Sequence, residues 1–135
     1  MLKHAYGKIL EVGIGTGKNI VYYPADIHLT GIDFSEKMIS EARKKYGNQS
    51  WIEFILMDAE EMDFRDNTFD TVVTSCVFCS VPDPVKGLKE IRRVCKKGGT
   101  ILMLEHVRSN RKITGKLMDI INPLPLWLYG AYVQS

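Results

Sequence analysis

No run of apolar residues in this chain approaches the roughly eighteen needed to cross a bilayer. The opening Met1-Leu2-Lys3-His4 also lacks the apolar core of a secretory signal. A cytoplasmic protein without a transmembrane segment is therefore expected. Cysteine is scarce and odd in number, three in 135 residues, which fits reduced thiols better than a disulfide framework. Cys76-Val77-Phe78-Cys79 has the C-x-x-C spelling, but no second pair supplies the other ligands of a zinc site, and His4, His28 and His106 are scattered. No metal is expected. Thioredoxin-like motifs usually carry a turn-forming Gly or Pro between their cysteines, and here Val and Phe stand there, so the thiols read as core or pocket lining. Charge of one sign is lacking too: a net charge of +2 gives no argument for nucleic acid as a partner.

What is present is ordinary for a globular protein, with 45% hydrophobic and 25% charged residues. A chain of this length makes one domain, 1–135, with a proper core. Strand-like and helix-like segments alternate, which predicts an α/β fold with a parallel sheet covered on both faces. The strands are expected at Lys8 to Val12, His28 to Asp33, Ile52 to Met57, Phe69 to Ser75 and Thr100 to His106. Between them, Lys18 to Tyr23 opens a short helix that Pro24 ends. Ser35 caps a helix from Glu36 to Tyr46, and Asp83 with Pro84 starts one that runs to about Val94. Ile113 to Ile121 also reads as helix. The basic residues Lys86, Lys89, Arg92 and Arg93 read as the solvated side of the helix they share.

The first strand runs into Glu11-Val12-Gly13-Ile14-Gly15-Thr16-Gly17-Lys18. Alternating glycines let the backbone bend tightly and let a ligand approach main-chain N–H groups. A P-loop would need four residues between its glycines and a Ser or Thr after the lysine; here three lie between Gly13 and Gly17, and Asn19 follows Lys18. The dinucleotide fingerprint wants its third glycine three positions after the second, and here it comes after two. The loop therefore suits a smaller adenosyl ligand with an amino-acid tail, or it is simply a tight strand-to-helix turn. Asp33 stands twenty positions after Gly13, at the next strand end, where a carboxylate can accept both hydroxyls of a ribose. It also reads as a helix-start residue. Asp58 follows the third strand and can take a hydrogen bond from an exocyclic amine, with the backbone of Ala59 or Glu60 beside a ring nitrogen; as an alternative it caps a short helix.

Taken in order, Glu11 to Gly17, Gly31-Ile32-Asp33-Phe34-Ser35, Asp58-Ala59-Glu60, Phe69-Asp70-Thr71-Val72-Val73 and Arg93 to Thr100 resemble the successive motifs of the class I S-adenosylmethionine-dependent methyltransferases. The similarity covers about Lys8 to His106. It implies a doubly wound, Rossmann-like sheet of order 3-2-1-4-5, with S-adenosyl-L-methionine lying across the ends of strands 1, 2 and 3. By the same resemblance Gly13, Gly15 and the adjoining backbone as far as Gly17 would hold the methionine part, and Glu11 would support the loop or the amino group. Asp33 would bind the ribose, Phe34 and Met38 would pack on adenine, and Asp58 with Ala59 would read its edge. Ser75 and Cys76 would close over the tail and face the acceptor. Ser75 to Pro84, with Leu104 to Ser109, looks most like the small enzymes of ubiquinone and menaquinone biosynthesis and of phospholipid N-methylation, and relatives that methylate thiols share that look.

The family normally adds strands 6 and 7 after the fifth, and here Asn122-Pro123-Leu124-Pro125 breaks any strand in the tail. A longer natural protein, or a helix or a second subunit covering strand five, as in a homodimer, would account for that, since an open apolar edge invites aggregation. For chemistry, methyl transfer is an in-line displacement, to which positioning contributes roughly 7–11 kcal/mol in favourable cases. His106, at a strand's carboxyl end, is the candidate catalytic base, or it only bonds a neighbouring loop. Arg108 and Arg111 would grip an anionic group or remain solvated. The run Leu124 to Tyr129 would line a lipid pocket, rest on a membrane surface, or cover strand five. The expected activity is methyl transfer to a small molecule such as a lipid, a quinone precursor or a thiol. A non-catalytic scaffold and a nicotinamide-dependent oxidoreductase are the competing readings.

Overall fold

The computed structural model describes residues 2–104. Five strands, β1 (Lys8–Val12), β2 (His28–Asp33), β3 (Ile52–Leu56), β4 (Phe69–Ser75) and β5 (Cys95–Leu104), and two helices, α1 (Glu36–Tyr46) and α2 (Pro84–Val94), follow in the order β1-β2-α1-β3-β4-α2-β5. The strands form one parallel sheet of order β3-β2-β1-β4-β5. This is the doubly wound order that the family resemblance implies.

Adjacent apolar residues explain the two-sided cover. Leu10, Val72 and Ile101 pack with Ile91 and Val94 of α2, whereas their chain neighbours Ile9, Val73 and Leu102 pack with Ile39 and Ala42 of α1. Side chains alternate across a strand, so near-continuous hydrophobic strands bury both faces. β3, at the sheet edge, buries only Phe54 along its length. Both helices start where their caps predict: the Ser35 side chain accepts the Met38 N–H at 3.4 Å, and Asp83 Oδ1 accepts the N–H groups of Val85 and Lys86, each at 3.1 Å. α1 carries Glu36 in its first turn and Arg43, Lys44 and Lys45 in its last, matching the helix dipole.

Three boundaries differ from the sequence reading. The segment Lys18 to Tyr23 forms only a 3-10 turn at Ile20–Tyr22, because the Asn19 side chain makes no capping bond and is used on Glu11, and Pro24 soon ends the segment. β3 ends at Leu56, one residue early. β5 begins directly after α2, at Cys95 rather than Thr100. Phe69 pairs with Cys95 while Thr71 pairs with Thr100, so Lys96 to Gly99 are accommodated as an irregularity, with Gly98 at φ +79°. His106, Arg108, Arg111, the helix at 113–121, the run 124–129 and the question of strands 6 and 7 lie outside the described residues. Among the described residues no helix is long and apolar enough to cross a membrane.

Candidate functional site

Register aligns the strand ends. Val12 pairs with Ile32 on one side and Thr74 on the other, and Asp33 pairs with Leu56, so the carboxyl ends of β1 to β4 finish nearly level. The loop that leaves β1 there has Gly13, Gly15 and Gly17 at φ +71°, +55° and +79°. A side chain at such angles costs about 1–2 kcal/mol. Gly13 and Gly17 are also tight sterically: a Cβ on Gly13 would run into Val77, and one on Gly17 would meet Ile20 and the Tyr46 ring. A Cβ on Gly15 would meet nothing within 4 Å. Gly15 therefore faces open space.

Much of the loop's hydrogen bonding turns inward. The N–H groups of Gly13 and Ile14 both donate to the Ile32 carbonyl, at 2.8 and 2.9 Å, and Gly15 N–H donates to Asp33 Oδ2 at 2.9 Å. Asp33 Oδ1 accepts from Ser35 N–H at 2.9 Å. Asp33 is thus a loop anchor as well as a candidate ligand group. Each of its oxygens keeps a second lone pair, which suits the two hydroxyls of a ribose.

Glu11 lies behind the loop, fully buried. Its Oε1 accepts from Asn19 Nδ2 at 2.7 Å and its Oε2 from the Tyr23 hydroxyl at 2.9 Å. Burial raises its pKa to about 7, against the lowering effect of those two bonds. Burial and the adjacent Glu11 push the Tyr23 phenol well above its ordinary range. Of the two roles left open for Glu11, these contacts favour loop support.

In front of the loop is a cleft of about 290 Å³, near the lower end of the roughly 300–1,000 Å³ usual for small-molecule sites. The sequence-derived residues that line it are Gly13, Asp33, Phe34, Asp58, Ala59, Ser75 and Cys76. Glu11, Gly15, Gly17 and Met38 are not among the lining residues. Phe34 is 72% exposed at the rim, an apolar ring with a flat face to offer a base. Asp58 caps the turn after β3, its Oδ1 accepting Glu60 N–H at 2.8 Å. Glu60 in turn accepts the Asp83 N–H at 2.9 Å, which ties this turn to the start of α2. The far wall is the segment after β4, where Cys76 takes φ +54° while its N–H bonds the Leu104 carbonyl at 2.7 Å. Cys79 sits outside the lining, its thiol 3.3 Å from the Cys76 carbonyl oxygen, and Cys95 is buried, its pKa pushed up to about 11 by burial.

Sequence reasoning missed Asn19, Tyr23 and Val77. The contacts from Glu11 to residues eight and twelve positions on cross a loop and lie along no single helix or strand, and Val77 reads as one more apolar residue until the fold sets it on Gly13. The one pointer was Asn19 itself, a polar amide where a P-loop would have a hydroxyl.

A strand-end carboxylate with lone pairs to spare, an exposed aromatic ring beside it, an acid and a buried alanine at the next strand end, and an open glycine turn all fit an adenosyl group carrying a short polar tail. A parallel sheet of order 3-2-1-4-5 with that cleft at its carboxyl ends defines a Rossmann-like cofactor-binding domain. The methyltransferase domain family matches residues 10–103, and the chain belongs to that family, among the class I S-adenosylmethionine-dependent methyltransferase domains. Its relatives include a phosphatidylethanolamine N-methyltransferase of Cereibacter sphaeroides, 44% identical over 74% of this chain and 51% of that protein. A thiol S-methyltransferase of Homo sapiens is 36% identical over 78% of this chain and 46% of that protein. Among solved structures, an S-adenosylmethionine-dependent methyltransferase of Thermotoga maritima is 34% identical, with a TM-score of 0.61 over 73% of this chain and 44% of that one. The chain spans about half the length of the curated relatives it matches. Neither the scaffold nor the oxidoreductase reading gains support from these relatives.

Proposed function

We propose that the protein transfers a methyl group from S-adenosylmethionine to a small-molecule acceptor, an amine, a thiol or an activated carbon, with the amine of a phospholipid first among them. The observation that carries this reading is the convergence of Asp33, Phe34 and Asp58 with the glycine turn around one cleft. When bound, the cofactor supplies a methyl group on a positively charged sulfur, open to displacement by a lone pair. Asp33 orients the ribose, Phe34 covers the base, and Asp58 with Ala59 reads its edge. Gly13 and the adjoining backbone hold the amino-acid tail, while Ser75 and Cys76 face the acceptor.

The described acceptor side, Cys76, Val77, Ser80, Val81 and Pro82, carries no charge and is largely apolar, which suits a lipophilic acceptor. The names of the relatives, a phospholipid amine methyltransferase and a thiol methyltransferase, support the same range, and a quinone precursor completes it. His106 is the proposed base where the acceptor must lose a proton. We also hold residues 1–135 to be one domain in the cytoplasm, with peripheral membrane contact and pairing of two copies over the β5 edge as its macromolecular associations. The test is a lysate metabolite screen with isotopically labelled methyl donor and the longest natural form of the chain. Label in a lipid amine, a quinone precursor or a thiol supports the proposal; label confined to protein or nucleic acid overturns it.

A further inference from the structure

We infer that Asn19 and Tyr23 are positioning residues for the glycine loop, acting through Glu11 as a clasp that joins the two ends of the loop. The inference rests on the cofactor reading of the cleft. Glu11 stands two residues before Gly13, and its carboxylate reaches across the loop's base to Asn19 at 2.7 Å and Tyr23 at 2.9 Å, both from the segment that follows the loop. The first half of the loop is stitched to β2 through Gly13, Ile14 and Gly15. The second half has no such strand beside it. Gly17 rests on Ile20 and Tyr46, and beyond them the clasp fixes where the chain returns. Among the described residues none would touch a Cβ on Gly15, so at that turn no packed side chain restores the loop's shape if the clasp opens.

The clasp is unusual in its charge. Both partners of the carboxylate are neutral donors, and its strand neighbours, Gly31 and Val73, bring no charge. Among the described residues the Tyr23 phenol is the one titratable group that bears on Glu11, and it stays protonated. A buried carboxylate held only by neutral donors depends on each of them when ionised and less so when it carries its own proton, because a carboxyl group can also donate. With Glu11 titrating near 7, the contribution of Tyr23 to the loop must grow as the pH rises through neutrality.

The experiment is calorimetric titration of the full chain with S-adenosylhomocysteine at pH 5.5 and pH 8, for wild type and Tyr23→Phe. Loss of one bond to a charged acceptor predicts a Kd raised about tenfold at pH 8, the low end of such effects, and raised less than about threefold at pH 5.5. Unchanged affinity at pH 8, or the same factor at both pH values, overturns the inference, the latter because a merely structural defect has no reason to follow Glu11. If Tyr23→Phe does not fold, the pair Glu11→Gln and Glu11→Gln/Tyr23→Phe, which buries no charge, is measured instead. There the second substitution should change Kd less than about threefold, as expected for residues coupled through one contact, and a tenfold change overturns the clasp. A wild type that binds no S-adenosylhomocysteine at either pH removes the cofactor reading itself and the clasp with it.

Discussion

Glu11→Gln should make the protein more stable than the wild type in alkaline solution and leave it nearly unchanged in acid. The carboxylate is fully buried with two neutral donors, and its pKa rises from 4.5 to about 7 through loss of hydration. A folded-state pKa above the unfolded one means that the native state binds the proton more tightly. The resulting stability is fully present below the unfolded value and is lost as the pH rises through about 7. The displacement corresponds to about 3 kcal/mol. Glutamine keeps the shape and pairs as the protonated carboxyl group does, accepting from Asn19 through its carbonyl and donating to the Tyr23 oxygen, so it removes the titration and reproduces the acid form. Urea unfolding of both proteins between pH 4.5 and 8 reads the effect as a difference. Titration of Asp70 and Glu90, whose pKa values are lowered by bonds from Lys96 and Arg93, cancels in that difference. The variant's advantage should grow by about 3 kcal/mol across the range. A difference that stays flat within about 0.5 kcal/mol would refute the placement of an uncompensated carboxyl group behind the loop.

Two further outcomes follow from the cleft wall at Gly13 and from the bonds of Arg93. Gly13→Ala sets a Cβ at φ +71° against Val77, so it should cost about 1–2 kcal/mol in urea unfolding and, by pushing back the segment after β4, weaken S-adenosylhomocysteine binding about tenfold or more; wild-type affinity would show that Val77 does not bear on the site. Arg93 bonds Glu90, Asp66 and the carbonyls of Phe64 and Met62 at 2.6 to 2.9 Å. Arg93→Ala strands those acceptors and should cost roughly 2–3 kcal/mol, read as a lowered urea midpoint, and a loss under about 0.5 kcal/mol would show that water replaces it.

The strands were legible because pairs such as Ile9-Leu10, Val72-Val73 and Ile101-Leu102 serve two faces at once, a pattern that only a covered parallel sheet explains. Both helix starts were legible because Ser35 and Asp83 announce their caps chemically. The early start of β5 was not, since Lys96-Lys97-Gly98-Gly99 has the composition of a helix stop and enters the strand only by way of a register shift against β4. In the site, Asp33 and Asp58 were readable as strand-end acids, because parallel register carries each strand end to the same level. The bond from Ser35 to Asp33 matches the reading of Asp33 as a helix-start residue, whereas its hold on Gly15 emerges only once the loop is folded. Asn19 and Tyr23 escaped notice because their partner is a buried carboxylate reached across a loop, a contact along no single helix or strand. The segment after β4 is set by its turn, with Cys76 at φ +54°, and residue types alone do not specify such a turn.

Asp33 is the group on which the adenosyl reading turns. Calorimetry of the full chain with S-adenosylhomocysteine and, separately, with NADH, for wild type and Asp33→Ala, measures it directly. Selective binding of S-adenosylhomocysteine by the wild type is predicted, with a loss of roughly a hundredfold in the variant, the scale of two bonds to a charged carboxylate. Circular dichroism of the variant should stay native. Equal affinity in a folded Asp33→Ala, or preference for NADH, would contradict the account.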